Sequence, residues 1–177
     1  MNMRADTEHN GSKSMGQTEN RLRQAAAILR ITVGVILVAT WFDNLQGGIY
    51  AADGQGIVGL FNYLFNDNGG GPAFYRAIIN GTILQVPGLF AVFQLVAELL
   101  MGLALLVGLL TPLAGVGAAL FFFNLFLAYL GGQDWIWTYV LLTVSALVVA
   151  LSQAGRAWGL DALLLRRLGE PPRGPIW

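Results

Sequence analysis

The chain has 177 residues, of which 55% are hydrophobic and only 11% charged. Soluble globular domains carry about 25% charged residues, so this composition excludes a soluble enzyme and implies a polytopic membrane protein. Ten basic and ten acidic residues cancel, which leaves no basic field for a nucleic acid. There is no Cys, and His9 is the single His. Disulfides, iron–sulfur clusters, thiolate zinc sites, bis-His haem and His-rich metal sites are therefore excluded. Redox work by this chain would need an organic carrier or a partner subunit.

In chain order, Met1–Asn20 is polar and lacks the basic start and apolar core of a signal peptide. The expectation is a disordered, solvated tail over residues 1–23, with His9 a bystander. A first span is predicted over about 24–45, interrupted by Arg30 and ended by Asp43-Asn44. The run between those charges is too short to cross alone, so Arg30 must enter the membrane edge.

The first loop, Gly47–Gln85, is long for a hairpin connection. Ile57, Val58, Phe61, Leu64 and Phe65 follow the spacing of an amphipathic helix, and Ala73–Asn80 is a second short candidate. Both are expected to lie on or dip into the outer leaflet. Gly54-Gln55-Gly56-Ile57-Val58-Gly59 matches the dinucleotide fingerprint, but that motif works only between a strand and a helix. A membrane span precedes it here, so a flexible helix entry is the better reading.

A second span is predicted over about 86–110 with Glu98 inside it. Fourteen residues from Leu89 to Leu110 are Leu, Phe or Val; they contribute about −4 to −8 kcal/mol against about +3 for a central carboxylate. Insertion wins. Thr111-Pro112 reads as an N-cap and first helical position, opening a third span over about 112–130 that Gly131-Gly132 stops. Asp134 is expected to cap a fourth, about 135–153, with Gly155 as its stop. Small residues at Ala104/Gly108 and Gly115/Ala119 favour close packing within the bundle. Trp135, Trp137 and Tyr139 mark one interface and Trp158 the other. Leu160, Leu163, Leu164 and Leu168 form a last apolar stripe beside Arg166 and Arg167, and Pro171–Trp177 reads as extended.

Basic residues cluster before the first span (Arg21, Arg23, Arg30) and after the fourth (Arg156, Arg166, Arg167, Arg173). Positive-inside counting puts both termini in the cytoplasm, which requires an even number of spans. The predicted fold is thus all-α. It is a four-helix membrane bundle over 24–155 with interfacial helices in the first external loop and after the fourth span, the latter within a cytoplasmic segment 156–177.

Polar groups inside spans are the candidate functional set, because intramembrane ionisable residues are costly and face bundle interiors. Gln94 and Glu98 lie i, i+4 on one face of span two, Asn124 sits near the middle of span three, and Thr138, Ser145 and Ser152 share a stripe of span four. At ~1.5 Å rise per residue, Arg30 lies about 8 Å and Glu98 about 18 Å from the cytoplasmic face. That gap disfavours a tight ion pair between them.

Leu29-Arg30-Ile31 with Gly34, the Glu-x-x-x-Gly-x-x-x-x-x-Gly run from Glu98 through Gly108 to Thr111-Pro112, and Gly155-Arg156-Ala157-Trp158-Gly159-Leu160-Asp161 together resemble the DoxX/DoxD family of four-helix membrane proteins. The resemblance covers roughly Ala25 to Leu165. It implies a prokaryotic plasma-membrane protein and, in the DoxD branch, the membrane subunit of a thiosulfate:quinone oxidoreductase. The chain departs from the family in having Asn44 where relatives often carry Lys, and in lacking the sulfur-handling partner domain. Under this reading the cofactor is a quinone and Glu98 is the catalytic group. A carboxyl in a low-dielectric pocket suits relaying a proton to or from a quinone oxygen. Arg30, Gln94, Asn124, Trp41 and Asp43 are the candidate binding set. Partners are the bilayer and a further subunit or a second copy. The alternative is a non-catalytic accessory or scaffold subunit of a larger membrane complex; a transporter lacks support from inverted repeats or paired broken helices.

Overall fold

A computed structural model describes residues 3–152 and 154–168. The described residues are mostly helical, with no strand among them. The elements are α1 (Met3–Gln46), α2 (Gln55–Asn62), α3 (Ala73–Gly81), α4 (Pro87–Val107), α5 (Thr111–Tyr129), α6 (Trp137–Leu151) and α7 (Leu160–Leu168). Three helices are long and apolar enough to cross a membrane: α1 from Gly16, α4 and α5. The fourth apolar helix, α6, is shorter at 15 residues. This is a membrane protein.

The polar N-terminal stretch, expected as a disordered tail, is instead helical back to Met3. Helix growth from an existing helix needs no new nucleus, and the apolar half of α1 supplies one. Glu19 and Arg23, one turn apart and exposed, pair at 2.5 Å along this stretch.

α1 packs along α4 and α5 along α6, while α4–α5 and α1–α6 contacts close the ring. Small residues allow close approach in both of these helix pairs. A Cβ on Gly34 of α1 would lie 2.9 Å from the Leu106 backbone nitrogen, and one on Gly115 of α5 would lie 2.9 Å from Ala150 of α6. The large side chains that point away from the ring, such as Leu89, Phe93, Leu120 and Leu141, stay more than half exposed, as a lipid-facing surface requires.

The first loop does not lie apart from the bundle. Ile57 and Phe61 of α2, Leu64 and Phe65 of the π-helical turn Tyr63–Asp67, and Tyr75 and Ile79 of α3 are buried against Ala91 of α4 and Ala128 of α5. The apolar spacing thus marked the buried face correctly, but that face covers one end of the bundle. Arg76 clamps the turn between the two helices, donating from Nε to Gly71 O at 2.6 Å and from Nη2 to Gly70 O at 2.5 Å.

Three capping expectations are corrected. Thr111 is the first residue of α5, and Leu110 (φ 49°) is its N-cap without a side-chain bond of its own. The cap comes from the far end of the chain: the Asp161 carboxylate accepts from Leu110 N at 2.8 Å and Thr111 N at 3.0 Å. Asp134 does not cap α6, whose N-cap is Ile136; its carboxylate accepts from Tyr63 Oη at 3.3 Å. α6 ends at Leu151 with Ser152 as C-cap, and Gly155 lies in a separate 3-10 turn. The expected extended end Pro171–Trp177 falls outside the described residues.

Candidate functional site

Glu98 sits in the middle of α4 with none of its surface exposed. Its i, i+4 partner Gln94 and Asn124 of α5 line the same cavity of about 340 Å³. Leu60, Phe61 and Leu64 from the first loop and Phe90, Phe93 and Leu120 from α4 and α5 give it apolar walls. Phe93 and Leu120 are also 64% and 65% exposed on the outer surface, so they stand at a rim between α4 and α5 that faces lipid.

The two oxygens of Glu98 differ. Oε2 accepts a hydrogen bond from Tyr50 Oη at 2.5 Å, and Tyr50 Oη accepts from Asn44 Nδ2 at 3.2 Å. Gln94 and Asn44 also approach the carboxyl, yet Oε1 is buried with no hydrogen bond of good geometry. A buried polar atom left so costs about 1–3 kcal/mol.

Tyr50 reaches Glu98 because the chain after α1 folds back tightly on the start of α4. Gly48 turns it with φ 74°, and a Cβ on Gly88 would come within 2.5 Å of Ala52 O. Gly56 packs directly under Gly48 O. The Gly54–Gly59 motif therefore serves close backbone packing and a helix start, as its setting after a membrane helix suggested. Burial and the Glu98 bond push the Tyr50 phenol well above its ordinary range, so it remains a donor.

Across the cavity, Tyr75 Oη donates to Asn124 Oδ1 at 2.9 Å, which orients the side chain and leaves its amide nitrogen to donate elsewhere. Burial pushes the Tyr75 phenol up to about 12, against an opposing effect of Asn124. The bond persists at any physiological pH.

The structure brings together Glu98, Gln94 and Asn124 from the expected set and leaves the others elsewhere. Trp41 donates its indole N–H to Leu95 O at 3.0 Å, a clasp between α1 and α4 outside the cavity. Asp43 is exposed. Arg30 is fully buried at the opposite end of the bundle, where its Nη2 donates to Trp158 O at 3.2 Å. It lies against Gly108 and Gly159, with Asp161 as its nearest countercharge. Tyr50, Asn44 and Tyr75 were missed. Tyr75 shares the buried face of α3 with Ile79, a signal legible from spacing; Tyr50 lies in a turn and gives none.

Among the described residues no group of His, Asp and Glu is placed to hold a metal ion. No solved structure matches the chain. The segments around Arg30, Glu98 and Asp161 all fall within residues 26–173, the stretch matched by the family model described as TQO small subunit DoxD, and the chain belongs to the DoxD family.

Proposed function

We propose that the chain is the quinone-facing membrane subunit of a thiosulfate:quinone-type oxidoreductase, working with a partner subunit that handles the sulfur substrate. One observation carries this reading: Glu98, whose Oε1 is buried without a hydrogen bond of good geometry, is among the residues lining a cavity whose walls are otherwise mostly apolar. A flat, lipid-soluble ring with hydrogen-bonding oxygens fits those walls and that orphaned atom. The rim at Phe93 and Leu120 supports entry from the bilayer.

A quinone supplies carbonyl oxygens that take up protons on reduction. Because Tyr50 donates to Oε2, the exchangeable proton of a neutral Glu98 belongs on Oε1. From there Glu98 would hydrogen-bond an oxygen of a bound quinone and pass it the proton, while Gln94 and the Asn124 amide would orient the ring and the first-loop residues would exclude water.

In this reading the protein is a four-span bundle of a prokaryotic plasma membrane with cytoplasmic termini. α6 supplies the fourth crossing. Its 15 residues rise only about 22 Å, so flanking turns and local bilayer thinning complete the span.

The test is Glu98→Gln in the chain co-produced with its partner subunit. Quinone-linked turnover is expected to fall at least 100-fold, the lower range for loss of a general acid–base, while quinone still co-purifies. Full turnover would remove Glu98 from the chemistry and leave the accessory or scaffold reading ahead.

A further inference from the structure

A second cavity, of about 580 Å³, opens at the other end of the bundle and shares no lining residue with the Glu98 cavity. Its polar wall is Asn20, Arg23 and Gln24 of α1 together with Arg156. Val107, the last residue of α4, and Trp158 contribute apolar surface. Among the described residues that line it, none is acidic. Glu19 holds one nitrogen of Arg23, but that pair is solvent-exposed, and an incoming anion displaces such a pair at little cost.

A third guanidinium stands behind this wall. Arg30 lies directly behind Gly159, which lines the cavity, and its Nε and Nη1 are buried without hydrogen bonds. Asp161, its nearest countercharge, is committed to the backbone of Leu110 and Thr111. The backbone at Trp158 is held at φ 55°, a region that bulky residues rarely adopt. That conformation puts the Trp158 carbonyl on Arg30 while the residue stays 63% exposed at the cavity. A strained aromatic beside clustered arginines is the shape of a built amphiphile site.

We propose that this cavity binds the head group of an anionic phospholipid. The phosphate sits between Arg23 and Arg156, whose planar forks match its oxygens, with Asn20 and Gln24 donating from the side. The glycerol and first acyl carbons rest on Trp158 and Val107. Val107 is 44% exposed and Leu103, one turn earlier on α4, is 43% exposed, so the acyl chain continues along a lipid-facing helix. Basic pockets at the ends of membrane helices take such head groups. The apolar half of the lining favours a lipid over a free inorganic anion.

The test is native mass spectrometry of the full chain, stripped of lipid in mild detergent and titrated with phosphatidylglycerol or phosphatidylcholine. Wild type is expected to bind phosphatidylglycerol preferentially. R23Q/R156Q should weaken that binding roughly 30-fold, the combined effect of two arginines near an anionic surface, and weaken phosphatidylcholine less, because its choline already offsets the phosphate charge. W158G relieves the backbone strain and removes the aromatic wall, so it should fold and should also lose phosphatidylglycerol. Millimolar inorganic phosphate should not displace the lipid. Equal binding of the two lipids, or unchanged phosphatidylglycerol binding in the folded variants, overturns the proposal. Displacement by inorganic phosphate, with W158G behaving as wild type, reassigns the site to a free anion and overturns the lipid source. Should R23Q/R156Q not fold, the lipid contrast in wild type and the W158G result decide. None of these readouts depends on Glu98.

Discussion

Arg30 and Glu98 are both fully buried, and both keep polar atoms without a hydrogen bond. Around Arg30 the protein closes up: a Cβ on Gly108 or Gly159 would collide with the guanidinium, and one on Gly155 with Asp161. Around Glu98 it opens, leaving about 340 Å³ of cavity beside the carboxyl. Burial of a charge alone therefore does not identify a working site. What separates the two is access: Glu98 itself lines its cavity, whereas Gly159 stands between Arg30 and the cavity at that end. The Arg30 guanidinium is a clasp that ties α1, the α4–α5 hairpin and α7 together; the Glu98 carboxyl stands where something can be received.

The clasp should give the largest stability effects. Asp161→Ala removes the acceptor for two backbone donors at the start of α5 and the countercharge of Arg30 at once. We expect a loss of about 3–5 kcal/mol, the cost of breaking a buried charge arrangement from one side. Arg30→Met should cost less, because Asp161 keeps both backbone partners. Unfolding in lipid-matched detergent measures both, and an Arg30→Met loss exceeding that of Asp161→Ala would break the distinction drawn here.

A smaller effect is expected at the cavity. Glu98→Leu removes a half-satisfied buried carboxyl but also takes the acceptor from Tyr50 Oη, and the two effects, each about 1–3 kcal/mol, roughly offset. Stability should hold while quinone-linked turnover disappears. A clear fall in melting temperature would make Glu98 an anchor of a structural network like the Arg30 clasp. Tyr50→Phe is a finer probe of the same centre. It takes the donor from Oε2 and should cost about 1–3 kcal/mol. Because the proton would then no longer be held to Oε1, the pH profile of turnover should move as well. A stability change with an unmoved profile would reduce Tyr50 to packing.

Most of the helical frame was legible because its signals are local. Pro112 at a helix start, the uncharged runs after Glu98, and the amphipathic spacing of Ile57, Phe61 and Leu64 each act within one element. Gln94 and Glu98 share a face by spacing alone. The companions of these groups were hidden because they depend on how distant segments meet. Tyr50 arrives through a turn with no periodicity, held by glycine contacts at Gly56 and Gly88. Asp161 caps a helix that starts fifty residues earlier, so Thr111 looked like its own cap. Depth disfavours Arg30 as an ion-pair partner of Glu98, but depth along a helix says nothing of which neighbour it meets instead.

The smallest expected effect tests the far wall of the cavity. Tyr75 holds Asn124 by one hydrogen bond at 2.9 Å, and Tyr75→Phe at neutral pH should cost only about 1 kcal/mol. Its signature is in alkali. Burial raises the Tyr75 phenol from 10.0 to about 12, so the folded state favours the protonated form. The contribution is fully present below pH 10, where the unfolded phenol is also protonated, and is lost as pH climbs from 10 to about 12. Wild type should therefore lose stability more steeply than Tyr75→Phe across that window, by an amount on the order of 2 kcal/mol at its end. Comparing the two proteins cancels the other tyrosines. Parallel curves would mean that water reaches Tyr75, and that α3 does not seal the cavity over Asn124.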